Sequence, residues 1–107
     1  MEDTKAQEFF EGVLSKTRAG RIRWQPTAED AVYIAAIGGQ FTLSLWRYES
    51  NHGLALKDHD GRVLTTITSD SDGIHENDIR DLYETARRQA LRVDDKIDQV
   101  LGELSKL

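Results

Sequence analysis

Three evenly spaced turn signals inside a stretch of alternating sequence constrain this chain more than anything else in it. Gly38-Gly39 separates the run 31–37 from the run 40–48, Ser50-Asn51 follows it, and Asp60-Gly61 comes third. Paired glycines between alternating apolar runs read as a hairpin, because the favoured tight turns need positive φ. Pairing across the first turn sets Ala36 opposite Phe41, Ile34 opposite Leu43 and Val32 opposite Leu45. The second turn pairs Leu45 with Leu56 and Arg47 with Leu54, and the third pairs Leu56 with Thr65 and Leu54 with Ile67. One face stays mostly apolar throughout. A slip of one residue would turn a strand over and break that agreement. The expectation is a four-stranded antiparallel meander in the order 1-2-3-4.

Helical periodicity flanks the meander on both sides. Phe9, Phe10, Val13, Leu14 and Thr17 recur at threes and fours, which predicts a helix from residue 3 to about 19 ending at Ala19-Gly20. A connector over 20–30 holds Trp24, whose large ring is expected to plug one end of the core. Ile79, Leu82, Ala86, Ala90, Val93, Ile97, Val100, Leu104 and Leu107 predict one long helix over 75–106, with Asp94-Asp95 marking a candidate kink. Both helices and the sheet have a single apolar side. The predicted fold is therefore a two-layer α+β domain spanning 1–107, with both helices on the Val32/Leu43/Leu56/Ile67 face.

Length sharpens the expectation. A helix of about 31 residues spans roughly 46 Å, twice the ~23 Å of a seven-residue strand. Its overhang still carries Val93, Ile97, Val100, Leu104 and Leu107, and these need a partner. The first helix can cover some of them, and a second copy of the chain is predicted to cover the rest, in a coiled-coil-like contact. The alternative is a monomer whose two helices lie antiparallel.

Net charge then bears on function. At −5 the chain is a poor match to nucleic acid or anionic membrane, both of which attract positive charge. It has no cysteine, which removes disulfides, thiolate metal sites and thiol nucleophiles. The opening residues show no basic-then-apolar leader and no stretch has the length of a membrane span, so a cytoplasmic location is the default expectation. No nucleophile elbow, P-loop or dinucleotide fingerprint occurs. His52, His59 and His75 lack metal-site spacing and read as solvent loops; Asp70-Ser71-Asp72-Gly73 reads as a capping turn rather than a calcium loop. No cofactor and no metal are expected, and the chain reads as non-catalytic.

The outward face of the meander is expected to present Tyr33, Thr42, Ser44, Trp46 and Tyr48, an aromatic platform rimmed by hydroxyls and suited to a protein partner. A leading reading follows: a protein-interaction module, a small dimeric adaptor or regulator. A second reading uses the basic run Lys16, Arg18, Arg21 and Arg23, with Trp24 as a stacking ring, to contact nucleic acid. Against it, cations at a helix end also complement the dipole. A third reading is a small ligand-binding protein or enzyme with a pocket between helices and sheet.

The segments Lys16-Thr17-Arg18-Ala19-Gly20-Arg21-Ile22-Arg23-Trp24 and Leu82-Tyr83-Glu84-Thr85-Ala86-Arg87-Arg88-Gln89-Ala90 resemble small bacterial helix/four-strand/helix proteins of unassigned function. The resemblance implies a bacterial, cytoplasmic protein and carries over no functional residue.

Overall fold

The computed structural model describes residues 4–107, so the first position of the predicted N-terminal helix, residue 3, lies outside the described residues. Helix α1 runs over Thr4–Arg18 and turns Phe10, Val13, Leu14 and Thr17 into the core. Gly20 stops it with φ 73°, the Gly20 N–H bonding the Thr17 carbonyl and the Arg21 N–H bonding the Lys16 carbonyl. That pair of bonds satisfies two carbonyls that a helix end leaves without intrahelical partners.

A five-stranded antiparallel sheet follows, made of β1 (Gln25–Pro26), β2 (Val32–Ile37), β3 (Phe41–Tyr48), β4 (Asn51–Lys57) and β5 (Val63–Thr68) in the order β1-β2-β3-β4-β5. The four predicted strands are present, and β1 is an addition. It is a two-residue edge strand, with Gln25 paired to Ile34 and Pro26 to Tyr33. Proline cannot donate to a ladder, so the edge is where a sheet accommodates it.

The register differs from expectation in two places. Ile37 pairs with Phe41 and Ala35 with Leu43, one residue away from the predicted pairing, because the loop holds three residues, Gly38-Gly39-Gln40. That slip turns β2 over: Tyr33 and Ala35 are buried beneath the helices, while Val32, Ile34 and Ala36 face outward. Tyr33, expected on the open face, is thus a core residue at 6% exposure, packed edge-on against Tyr83 with ring centroids 5.7 Å apart. The second hairpin turns at Glu49-Ser50, with Glu49 at φ 55°, and pairs Leu45 with Leu54 and Leu43 with Leu56. This shift is two residues, so it preserves the faces. The third hairpin pairs Leu54 with Ile67 and Leu56 with Thr65 as predicted, and a bulge then sets Lys57 against Val63.

The predicted long C-terminal helix is two helices, α2 (Glu76–Leu91) and α3 (Val93–Leu104), separated by Arg92 in the left-handed conformation (φ 54°, ψ 49°). The break falls just before the Asp94-Asp95 pair that marked a candidate kink. Those two acids occupy the first turn of α3, where they suit the positive end of its dipole. Helices α1 and α2 cover the inner face of the sheet, and Ile79, Leu82, Tyr83 and Ala86 of α2 join Leu43, Leu45, Leu54 and Ile67 in one core. Trp24 plugs that core as expected. Its indole N–H donates to the Thr17 hydroxyl at 3.0 Å, and the Gln89 side-chain amide donates to the Thr17 carbonyl at 2.8 Å. Three separate segments are thereby tied at one threonine.

Candidate interaction surfaces

Helix α3 buries none of its residues. It meets the rest of the chain chiefly through the end of α2, and the molecule is drawn out to 59 × 29 × 25 Å. Its apolar stripe lies open: Ile97 is 47% exposed, Val100 55% and Leu104 55%, with Leu101 beside them at 57%; Leu107, expected to continue the stripe, lies past the end of the helix at 98%. Leu91, Val93, Lys96, Ile97, Val100 and Leu101 line a shallow concavity of about 370 Å³ along this stripe. Of the residues expected to need a partner, Val93 is half-buried, and Ile97, Val100, Leu104 and Leu107 have no cover among the described residues. The covering role given to α1 does not occur, since α1 packs on α2 and the sheet instead.

Among the described residues no helix lies on the outer face of the sheet. Thr42, Ser44, Trp46 and Tyr48 lie on this side of the sheet, but only Tyr48 is well exposed, at 70%; Thr42 and Trp46 are half-buried, and Ser44, expected to be open to a partner, is buried between its larger neighbours at 8%. Trp46 lies across Gly53: a β-carbon built at Gly53 would sit 2.2 Å from the Trp46 ring, so only glycine lets the indole rest there. Trp46 therefore neighbours Gly53 rather than Ala55, and Ala55 lies beside Ser44, both buried.

A third surface opens between α1 and the sheet near the first hairpin. It is an open groove of about 460 Å³ whose walls include Phe9, Val13, Ile22, Ile37, Phe41 and Leu56. Glu8 and Lys16 also line it, and the rest is almost entirely apolar. The groove presents no converging set of acids, bases or nucleophiles of the kind a reaction needs.

The basic run is divided. Arg18 is engaged by Asp81, its Nη2 2.6 Å and its Nε 2.9 Å from the carboxylate Oδ2, while Lys16, Arg21 and Arg23 are exposed. Trp24 is buried at 3% exposure, so it has no free face on which a base can stack. The constellation imagined for nucleic acid is thus not assembled.

One polar cluster escaped the sequence. His52, expected in a solvent loop, is the second residue of β4 and faces inward at 5% exposure. Its ring lies 5.2 Å from that of Tyr83, and the Arg47 guanidinium sits over the same tyrosine at 5.9 Å. The His52 backbone N–H donates to the Ser69 hydroxyl at 2.9 Å, but its side-chain Nδ1 is buried with no hydrogen-bond partner among the described residues. Burial holds the imidazole below its ordinary pKa of 6.5; Arg47 and Arg80 add to this, and Glu84 and Glu76 oppose it. Burial likewise raises the Tyr83 phenol. Because the folded state binds the His52 proton less well than the unfolded chain, stability is complete above about pH 6.5 and is lost as pH falls toward the lowered value. Urea unfolding at pH 7.5 and pH 5 is expected to show a drop in stability that shrinks in His52→Phe. An equal drop in both proteins would remove His52 as a source.

No helix of the described residues is long and apolar enough to cross a membrane. Compared with known proteins, the chain matches no protein family, no curated protein and no solved structure. What defines it is its own architecture: a small α+β body with a helical arm.

Proposed function

We propose that this chain is a non-catalytic protein-interaction module, a small adaptor or regulator, that engages its partner through α3. One observation carries the reading. A helix outside the core exposes Ile97, Val100, Leu101 and Leu104 together, and Leu107 follows just past its end. Contiguous apolar surface on this scale marks an interaction site, because leaving it in water costs about 25 cal/mol per Å². The open outer sheet face, with Trp46 and Tyr48, offers a second surface of the same kind. Nucleic acid is the weaker alternative, given a net charge of −5, a buried Trp24 and an Arg18 held by Asp81.

Chemical cross-linking of the full chain in cell extract tests the proposal against the double substitution Ile97→Ser with Val100→Ser. No α3 residue is buried in the body, so the melting midpoint of the double variant should stay within about 3 °C of the parent. Its cross-linked products, whether to itself or to other proteins, should largely disappear. An unchanged pattern of products would show that the stripe engages nothing.

A further inference from the structure

We infer that the partner of α3 is a second copy of this chain, with the two α3 helices paired antiparallel and Lys96 of each set against the partner's Glu103. The inference rests on the interaction role proposed above and names its occupant.

Spacing supplies the seam. Val93, Ile97, Val100, Leu104 and Leu107 alternate in steps of four and three, the repeat that keeps one side of a helix facing another. In an antiparallel pair, Ile97 packs on the partner's Val100 and Val93 on the partner's Leu104, each contact occurring twice by symmetry. Leu101 widens the buried strip on one flank.

Charge supplies the direction. Lys96 lines the apolar concavity, and the positions three and four residues from it are Arg92, Val93, Gln99 and Val100. It therefore has no carboxylate at helical spacing within its own helix. Antiparallel pairing brings it beside the partner's Glu103, on the opposite flank from Leu101. Parallel pairing sets Lys96 beside the partner's Leu101 instead and gives it no acid. The acidic character of α3, with four acids against two lysines over 93–107, also disfavours an anionic lipid surface as the occupant.

Shape agrees with charge. Paired helix axes lie roughly 8–10 Å apart. Parallel arms would set two bodies of up to 29 × 25 Å in cross-section side by side at one end, whereas antiparallel arms hold them at opposite ends. The contact is short, only about 18 Å of helix per copy over the 12 residues of α3, so it belongs at the small end of specific interfaces with micromolar-order affinity.

Sedimentation equilibrium and light scattering on the full chain at about 200 µM are expected to report a dimer. Lys96→Glu and Glu103→Lys, each exposed and neutral to the fold, should each weaken self-association about tenfold, since both symmetric pairs become repulsive. Mixing the two variants should restore association to the parental level, because each copy then supplies the charge the other lacks. A monomer at that concentration, a dimer indifferent to both substitutions, or a mixture no tighter than its components would each overturn the pairing. A monomer that still loses its cross-links to other proteins on Ile97→Ser with Val100→Ser would leave the interaction role standing and remove only the self-pairing.

Discussion

Ala35→Asp is expected to unfold the chain at temperatures where Ala36→Asp, its immediate neighbour, remains folded. Ala35 is 2% exposed between the sheet and the helices, opposite Leu43, whereas Ala36 faces outward and is exposed. A carboxylate at position 35 would be buried without a counter-charge, which costs about 3–5 kcal/mol, a large share of the stability of a domain this size. The same carboxylate at position 36 stays in water and costs at most about 1 kcal/mol through strand propensity. Urea unfolding of the two variants decides the register of the first hairpin directly. Equal loss in both, or greater loss at 36, would restore the pairing in which Ala36 opposes Phe41.

Trp24→Ala should be almost as damaging, at about 3–5 kcal/mol, because a large buried ring is removed and the cavity it leaves cannot fully collapse. The loss goes beyond packing. Trp24 is the donor to the buried Thr17 hydroxyl, and Thr17 also accepts the Gln89 amide through its carbonyl. Trp24→Phe keeps most of the volume but drops the donor, so it should retain well over half the stability lost in the alanine variant. If Trp24→Phe were as unstable as Trp24→Ala, the hydrogen bond to Thr17, not the ring, would be the dominant contribution.

Much of this architecture was legible because strong patterns agreed. The β4–β5 pairing, the inward stripes of α1 and α2 and the overhanging apolar repeat all follow from spacing, and the Trp24 plug from the size of an apolar ring set among polar neighbours. The first hairpin was not legible, for a specific reason. Val32, Tyr33, Ile34, Ala35, Ala36 and Ile37 are apolar on both faces, so neither register is penalised by pattern, and the choice falls to packing of Tyr33 on Tyr83. His52 was misplaced because its turn was set one position late, which moved a buried strand residue into a loop. Strand β1 is two residues long and contains proline, too short to show alternation. The break at Arg92 has no glycine to announce it; only the acids that follow hint that a new helix begins.

The surfaces were partly visible in the same way. Trp46, Tyr48 and the α3 stripe could be assigned to open faces because period alone separates inside from outside. The groove beside α1 could not, since it depends on how far α1 sits from the end of the sheet, and no spacing in a single chain encodes that distance.

The left-handed Arg92 has a consequence for how the arm is aimed. The corner is braced by Arg92 to Asp95 at 2.8 Å and Arg88 to Asp94 at 2.6 Å, with both pairs at the surface. Such pairs are worth at most about 1 kcal/mol each and are screened over a Debye length of about 10 Å at 0.1 M salt. The bearing of α3 is therefore a property of the solution as well as of the chain, because the pairs that brace its corner weaken as ionic strength rises.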